Sequence, residues 1–143
     1  MFERILIATD GSEHSKKAAK KAVDMAKLAG GKVTAIYVVD PNRALSDVSA
    51  NIADEILMGF KRAMEEEGEA ATRYVEEAAK MAEVPAEKKI LEGNPAEVIL
   101  KTAEGMDLVV MGSVGKTGLS KFLLGSVTDK VVRNSKVPVM VVY

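Results

Sequence analysis

The chain has 143 residues, of which 20 are Lys or Arg and 21 are Asp or Glu, so its formal net charge is −1. This balance argues against a general binder of nucleic-acid backbones. The absence of Cys and the single His exclude disulfides, thiolate nucleophiles and metal sites built from Cys or several His residues. With 48% hydrophobic residues the composition is that of a globular protein, and the length predicts one domain over residues 1–143.

The opening segment predicts a cytoplasmic protein. It begins MFERILIATD, a short apolar run that charged residues interrupt, which is typical of neither a signal peptide nor a membrane span. No later stretch reaches the roughly 18 consecutive apolar residues that a spanning helix requires. We therefore expect neither a membrane nor a nucleic acid as a partner.

Short apolar segments alternate along the chain with segments of helical periodicity. Residues 4–8 (RILIA) predict a buried strand, and the turn-forming residues 9–12 (TDGS) follow it. Residues 15–28 place apolar side chains at helical spacing, and Gly30 and Gly31 end this pattern. Residues 32–39 (KVTAIYVV) are apolar on both faces, as expected for a strand that helices cover on two sides.

The middle of the chain predicts a loop, a long helix and an edge strand. Residues 42–51 show no clear period, and the stretch up to residue 83 is rich in Ala, Glu, Met and Lys. Gly59 and Gly68 interrupt this helix, and each lowers its stability by up to about 1 kcal/mol relative to Ala. Residues 87–91 are poorly apolar and predict a strand at the edge of the sheet.

The last third of the chain predicts two more helices, each followed by a strand. In order, these are a helix over residues 94–104, a strand over 107–111 (DLVVM), a helix over 125–134 and a strand over 137–142 (VPVMVV). Asn94 and Pro95 are typical of a helix start. The last strand begins at Val137 and ends at Val142, and Pro138 suits a position near the start of an edge strand.

The alternation of strands and helices predicts an α/β fold. It requires parallel pairing through right-handed crossovers, which gives an open, doubly wound, five-stranded parallel sheet between two helical layers, a three-layer α/β/α arrangement. Ligands of such sheets bind beyond the carboxyl ends of the strands, where the strand order reverses. The residues that follow the first, second and fourth strands are therefore the candidates for a binding site.

The glycine-rich loop after the fourth strand predicts a phosphate-binding site. Gly112 and Gly115 allow the backbone to approach a ligand closely, and the main-chain N–H groups of residues 125–127 (GSV) lie at a helix start that favours anions. A loop that only turns the chain and caps the helix is consistent with the same residues. The segment 115–117 (GKT) is not part of a Walker A motif, because position 110 is Val rather than Gly.

Three further residues follow or end the central strands. Asp10 comes after the first strand, where a carboxylate can accept hydrogen bonds from ribose hydroxyls, although an Asp here also suits a local turn. Val38 and Met111 are placed either to line an apolar slot for a planar base or to serve as core residues. His14 has no obvious partner nearby in sequence, and we expect it at the surface.

Four segments in order resemble the universal stress protein family, and the resemblance covers the whole chain. They are RILIATDGSEHS at the start, YVVD at the end of the second strand, GNPAEVIL at the start of the third helix, and the closing GSVTDKVVRNSKVPVMVV. Gly112, Gly115 and the pair Gly125-Ser126 have the spacing of the ATP-binding subclass. The resemblance implies a Rossmann-like fold of the adenine-nucleotide α-hydrolase type that binds ATP.

The resemblance also implies which residues contact the nucleotide. By position, the implied contacts are Asp10 with the ribose, Ala8 and Val38 with the adenine side, Met111 and Gly112 with base and ribose, and Gly115, Gly125, Ser126 and Val127 with phosphates that carry Mg²⁺ or Mn²⁺. Val114 departs from the family, in which many members have a polar or basic residue here. The family further implies a homodimer through the last strand, and an apolar edge strand agrees with this expectation.

The residues near the implied phosphates do not favour efficient phosphoryl transfer. Asp10 is the only side-chain acid placed there, and no base, arginine finger or metal-binding pair of carboxylates is evident in the sequence. We therefore expect a nucleotide-dependent regulatory or stress-response protein with at most slow ATP hydrolysis. A nucleotide-free interaction module and a low-turnover ATPase or phosphotransfer enzyme stay open as alternatives. A response regulator fits less well, because residues 92–94 (EGN) follow the third strand instead of a phosphate-accepting Asp.

Overall fold

The computed structural model of the protein describes residues 1–43, 54–114 and 123–143. Their strands are β1 (Arg4–Ala8), β2 (Lys32–Val39), β3 (Ala86–Glu92), β4 (Leu108–Gly112) and β5 (Val139–Val142). The helices are α1 (Glu13–Ala29), α2 (Asp54–Met81), α3 (Pro95–Thr102) and α4 (Ser126–Asn134). These elements confirm the predicted order of strands and helices. Within the described ranges, none of the helices has the length and apolar character that a membrane crossing needs.

The five strands form one parallel sheet in the order β3-β2-β1-β4-β5. β1 lies between β2 and β4, with Ala8 beside Ile36 and Ile7 beside Val110. The chain winds outward from β1 first in one direction and then in the other, so the strand order reverses between β1 and β4. The predicted doubly wound fold is therefore confirmed, and the carboxyl ends of β1 and β4 mark the position of a ligand site.

Side chains of the central strands alternate between two helical layers. Ile5 and Ile7 pack against α1 and the end of α2, whereas Leu6 packs with Ile99 of α3 and Val131 of α4. These side chains are buried. Because both faces of the sheet are covered, its central strands must be apolar on both sides, which explains their continuous runs of Ile, Leu and Val.

Two of the helices begin with a capping side chain, and α4 does not. Ser12 caps α1 by accepting a hydrogen bond from the N–H of Ser15 at 3.2 Å, and Asn94 caps α3 by accepting from the N–H of Glu97 at 3.2 Å. The prediction that α1 begins at residue 15 is wrong by two residues, because Ser12 is the cap. Gly125 precedes α4 and supplies no capping side chain.

A glycine allows α2 to pack closely against β2. A Cβ atom on Gly68 would lie 2.7 Å from Cδ1 of Tyr37, which is buried. The hydroxyl group of Tyr37 donates a hydrogen bond to Glu67 at 3.2 Å. Burial and the adjacent Glu67 carboxylate raise the pKa of Tyr37 to about 12. Gly68 is therefore a contact point between helix and sheet rather than only a weak position in the helix.

A carboxylate joins the amino ends of β1 and β4. Oδ2 of Asp107 accepts hydrogen bonds from the main-chain N–H groups of Glu3 at 3.1 Å and Arg4 at 2.8 Å. The guanidinium group of Arg4 lies 3.1 Å from Oδ1. Two hydrogen bonds from Arg4 lower the pKa of Asp107, and the side-chain bond has a larger effect than the main-chain bond. The ionised carboxylate thus stabilises the amino-terminal end of the sheet, which lies opposite the predicted site.

We expect Gly68→Ala to destabilise the protein by about 1–2 kcal/mol, because the overpacking cost of about 1–3 kcal/mol exceeds the gain in helix propensity. Gly59→Ala is the matched control in the same helix, since among the described residues no other element has an atom within 4 Å of a Cβ placed there. It should stabilise the protein by up to about 1 kcal/mol. Chemical denaturation measures both changes. A Gly68→Ala protein at least as stable as wild type would contradict the packing against Tyr37.

We expect Asp107→Asn to lower the thermal unfolding temperature at neutral pH, because the variant loses the charge that its hydrogen-bond donors favour. The folded-state pKa of Asp107 is depressed, so its stabilisation is present above the unfolded value of about 3.9 and is lost as the pH falls through the folded value. The difference in Tm between the two proteins should therefore shrink below about pH 4. Thermal melts across acidic and neutral pH test this, and a difference independent of pH would show that the charge is not responsible.

Candidate functional site

A cleft of about 310 Å³ lies at the carboxyl ends of β1, β2 and β4. It coincides with the point where the strand order reverses, and its size is in the range of small-molecule sites. Eight of the nine residues proposed from the sequence line it, namely Ala8, Asp10, Val38, Met111, Gly112, Gly125, Ser126 and Val127. The ninth, Gly115, lies outside the described residues. Their contact with a nucleotide stays a prediction.

One side of the cleft is an apolar slot. Ala8, Val38 and Met111 belong to the apolar cluster between the sheet and the layer formed by α3 and α4. Pro95 and Ile99 of α3 also line the cleft. The sequence indicated Pro95 only as a helix start, because reasoning from strand ends does not show that α3 closes over the sheet here. A slot of this composition suits a flat apolar ring.

Hydrogen bonds fix the loop that carries Asp10. Oδ1 of Asp10 accepts from the N–H of Ser12 at 2.9 Å, which forms the predicted local turn. The hydroxyl of Thr9 donates to the hydroxyl of Ser15 at 3.1 Å and accepts from the N–H of Gly11 at 3.2 Å. Thr9 and Ser15 are buried and also line the cleft. Since a carboxylate accepts several hydrogen bonds, the turn and a ligand contact do not exclude each other.

The N terminus of α4 reaches the cleft without a side-chain cap. The N–H of Gly125 donates to the carbonyl of Ser113 at 2.8 Å. The N–H of Gly125 is thus engaged within the protein, and the N–H groups from Ser126 onward are the ones left for the predicted phosphate contact. The N–H groups in the first turn of a helix have no acceptor within that helix, and the helix dipole favours an anion there. Ser126, Val127 and Thr128 all line the cleft, so α4 offers it a donor set suited to phosphate.

Gly112 is required by packing as well as by its place in the cleft. A Cβ atom on Gly112 would lie 2.9 Å from the main-chain carbon of His14. The space beside this glycine is thus filled by α1, so packing is a second reason for glycine here, and its close approach to a ligand stays a prediction. The surface placement expected for His14 is wrong. His14 is half-buried, and within the described part of the chain its Nδ1 has no hydrogen-bond partner.

The loop after β2 brings charge to the cleft. Asp40 and Arg43 both line it. The carboxylate of Asp40 accepts from the N–H of Asn42 at 3.0 Å, and its carbonyl accepts from the N–H of Arg43 at 3.2 Å. Tyr37 lines the cleft as well. The positive charge of Arg43 is close enough to Tyr37 to oppose the rise in its pKa. Arg43 was missed because it lies in a segment without periodicity, beyond the end of the strand.

Comparison with known proteins agrees with this architecture. A sequence model of the Universal stress protein family matches residues 1–143. Universal stress protein MJ0531 of Methanocaldococcus jannaschii is 40% identical over 99% of this chain and 82% of its own length. The structure of MJ0577 from the same organism has a TM-score of 0.84 at 33% identity, covering 99% of this chain and 96% of that one. A universal stress protein solved in complex with cAMP has a TM-score of 0.69 at 26% identity, covering 99% and 97%. The chain belongs to the universal stress protein family.

Proposed function

We propose that this protein binds ATP in the cleft and acts as a nucleotide-dependent regulatory protein in a stress response. The observation that carries the proposal is the N terminus of α4, which reaches the cleft without a capping side chain and shares it with an apolar slot. This combination suits a ligand with a flat base and an anionic tail. The solved family member in complex with cAMP supports an adenine nucleotide as that ligand. We expect this one-domain protein to act in the cytoplasm, where ATP is abundant.

In the proposed complex, the adenine lies between Val38 and Met111, with Ala8 beside it. The ribose hydroxyls donate to Asp10. The phosphates accept hydrogen bonds from the main-chain N–H groups at the start of α4, beginning at Ser126. Gly115, which belongs to the implied phosphate contacts, lies in the part of the chain that the structure does not describe.

The divalent cation is proposed to arrive with the phosphates. In residues 1–43, 54–114 and 123–143, no three His, Asp or Glu side chains are grouped to hold a metal ion. Mg²⁺ is commonly held by one or two carboxylates together with the phosphates of a nucleotide, so a dedicated protein site is not required. Mn²⁺ has the same preference for oxygen ligands.

The charged residues of the cleft do not support efficient turnover. The charged residues among its described lining are Asp10, Asp40 and Arg43. Two of these three repel phosphate, whereas phosphoryl transfer needs charge stabilisation and a group that orients the nucleophile. We therefore propose at most slow hydrolysis. The nucleotide would act by favouring the conformation or partner state that binds it more tightly.

We also propose a homodimer through the edge strand β5. Its four residues, Val139 to Val142 in sequence VMVV, are all apolar and partly exposed. The opposite edge strand, β3, carries the charged residues Glu87, Lys88, Lys89 and Glu92. Charged side chains protect an edge from pairing with another chain, whereas an apolar edge invites it.

The hydrogen bonds between β4 and β5 show which main-chain groups face the free edge. The N–H of Val109 donates to the carbonyl of Pro138, and the N–H of Ser113 donates to the carbonyl of Val142. Because main-chain groups alternate in direction along a strand, those of Val139 and Val141 point away from β4. They are the groups that an antiparallel twin strand would pair with.

We expect Ser126→Pro to weaken ATP binding by about tenfold or more, because the variant removes one N–H that donates to a charged phosphate. Pro is favoured at the first position of a helix, and Gly125 already has the extended conformation (φ −60°, ψ 155°) that precedes a proline, so the fold should be retained. Ser126→Ala is the matched control, since it keeps the N–H and removes only the hydroxyl. Isothermal titration with Mg²⁺-ATP measures the three affinities.

Wild-type protein should also release an adenine nucleotide on denaturation, or show a higher Tm when Mg²⁺-ATP is added. Equal ATP affinity of the wild-type and Ser126→Pro proteins would exclude the N terminus of α4 as the phosphate site. Folded wild-type protein that shows neither released nucleotide nor a shift in Tm would instead favour the nucleotide-free interaction module.

We expect Val141→Pro to convert the proposed dimer to a monomer, because the variant lacks an N–H on the free edge while the bonds from β5 to β4 are kept. Light scattering coupled to size-exclusion chromatography measures the mass, and circular dichroism checks the fold. A folded Val141→Pro protein that is still dimeric, or a wild-type protein that is monomeric, would rule out pairing through this edge.

A further inference from the structure

Thr128 forms a hydrogen bond that differs from those of other helical threonines in this chain. Oγ1 of Thr72 donates to the carbonyl of Gly68, and Oγ1 of Thr102 donates to the carbonyl of Val98, both at 2.7 Å and both four residues back in the same helix. This is the usual bond of a threonine within a helix. Oγ1 of Thr128 instead donates at 2.9 Å to the carbonyl of Gly112, the last residue of β4. The bond therefore joins α4 to the sheet.

This bond lies beside the N–H groups that the proposed phosphates would accept from. Thr128 is the third residue of α4, its side chain is buried, and it lines the cleft. On the other side of the first turn, the N–H of Gly125 donates to the carbonyl of Ser113. The first turn is thus fixed to residues 112 and 113 at two points, and Ser126 and Val127 lie between them. The bond of Thr128 thus adds to the packing of Val127 and Val131 in limiting how far the turn can rotate.

The orientation of this turn affects one part of a nucleotide more than the other. Hydrogen bonds from N–H groups to a charged oxygen depend on distance and angle, so a turn that pivots loses affinity for the phosphates. The apolar slot is formed by Ala8, Val38 and Met111, which belong to β1, β2 and β4 and do not take part in the hydrogen bond of Thr128.

We propose that Thr128 is a positioning residue that makes the cleft select phosphorylated nucleosides over the free nucleoside. The proposal rests on the proposed function, because it assumes that the cleft binds an adenine nucleotide. It assigns the discrimination to one hydroxyl group, which keeps the N–H groups of Ser126 and Val127 aimed at the phosphates. Thr128 itself need not touch the ligand.

The test compares the affinities of ATP and adenosine by isothermal titration in the wild-type protein and in Thr128→Val, which has nearly the same shape and lacks the hydroxyl. The ratio of the two affinities should fall about tenfold in Thr128→Val, with adenosine affinity changed by less than about twofold. Thr128→Ser keeps a hydroxyl at this position and should have the same ratio of affinities as the wild-type protein. Thr102→Val is the matched control, because it removes a helical threonine hydroxyl outside the lining of the cleft, and it should leave the ratio unchanged.

Each other outcome overturns the proposal. An unchanged ratio in Thr128→Val would show that the bond to Gly112 does not direct the phosphates, and equal losses for ATP and adenosine would show a general structural role. If Thr128→Val does not fold, Thr128→Ser and Thr128→Ala carry the same comparison, with the ratio expected to fall only in the alanine variant. A wild-type protein that binds no ATP would overturn the proposed function itself, which separates its failure from that of the role of Thr128.

Discussion

The position of β1 between β2 and β4 is the constraint on which the rest of this structure depends. A parallel strand needs a crossover to reach its neighbour, and here the crossovers through α1 and α2 cover one face of the sheet, while those through α3 and α4 cover the other. The helices must then cover both faces, so the central strands are apolar on both sides. The same winding leaves a gap where the two sets of crossovers separate. The cleft occupies this gap, which means that the fold creates the site before any side chain defines its specificity.

Within that gap, the start of α4 differs from the starts of α1 and α3. Ser12 and Asn94 satisfy main-chain donors locally, whereas Gly125 leaves those of α4 to an external acceptor. A capping side chain is worth about 0.5–2 kcal/mol relative to Ala, but Gly at this position costs only about a few tenths of a kcal/mol, so the start of α4 can stay open at little cost in stability. A ligand that binds the folded state adds stability in proportion to its concentration and affinity. Stability and nucleotide binding are in this way proposed to be linked at a single helix end.

The fold was accessible from the sequence because its signals are local and repeated. Apart from β3, each strand is a short apolar run with turn residues after it, and the order of these runs with helical segments allows few topologies. The lining of the cleft was only partly accessible. Residues that follow strands, such as Asp10, were found because topology places them there. Ile99 and Thr128 were missed because their role arises from how α3 and α4 pack onto the sheet, which has no periodic signal. The packing of α1 against Gly112, which leaves His14 half-buried, could not be predicted from the sequence for the same reason.

The two edges of the sheet differ in composition, and this asymmetry limits what the protein can assemble into. β3 is lined with charge, and α2 is tied to it by ion pairs from Lys88 to Glu69 and from Lys61 to Glu92, whereas β5 is short and apolar. A chain whose sheet has two edges open to pairing can add subunits indefinitely and form a fibre. A chain with a single edge open to pairing can pair only with the same edge of a second copy, about a two-fold axis. This pairing leaves neither copy with an open edge. For the proposed pairing through β5, the charged strand at the other edge would make a closed dimer the end point of association.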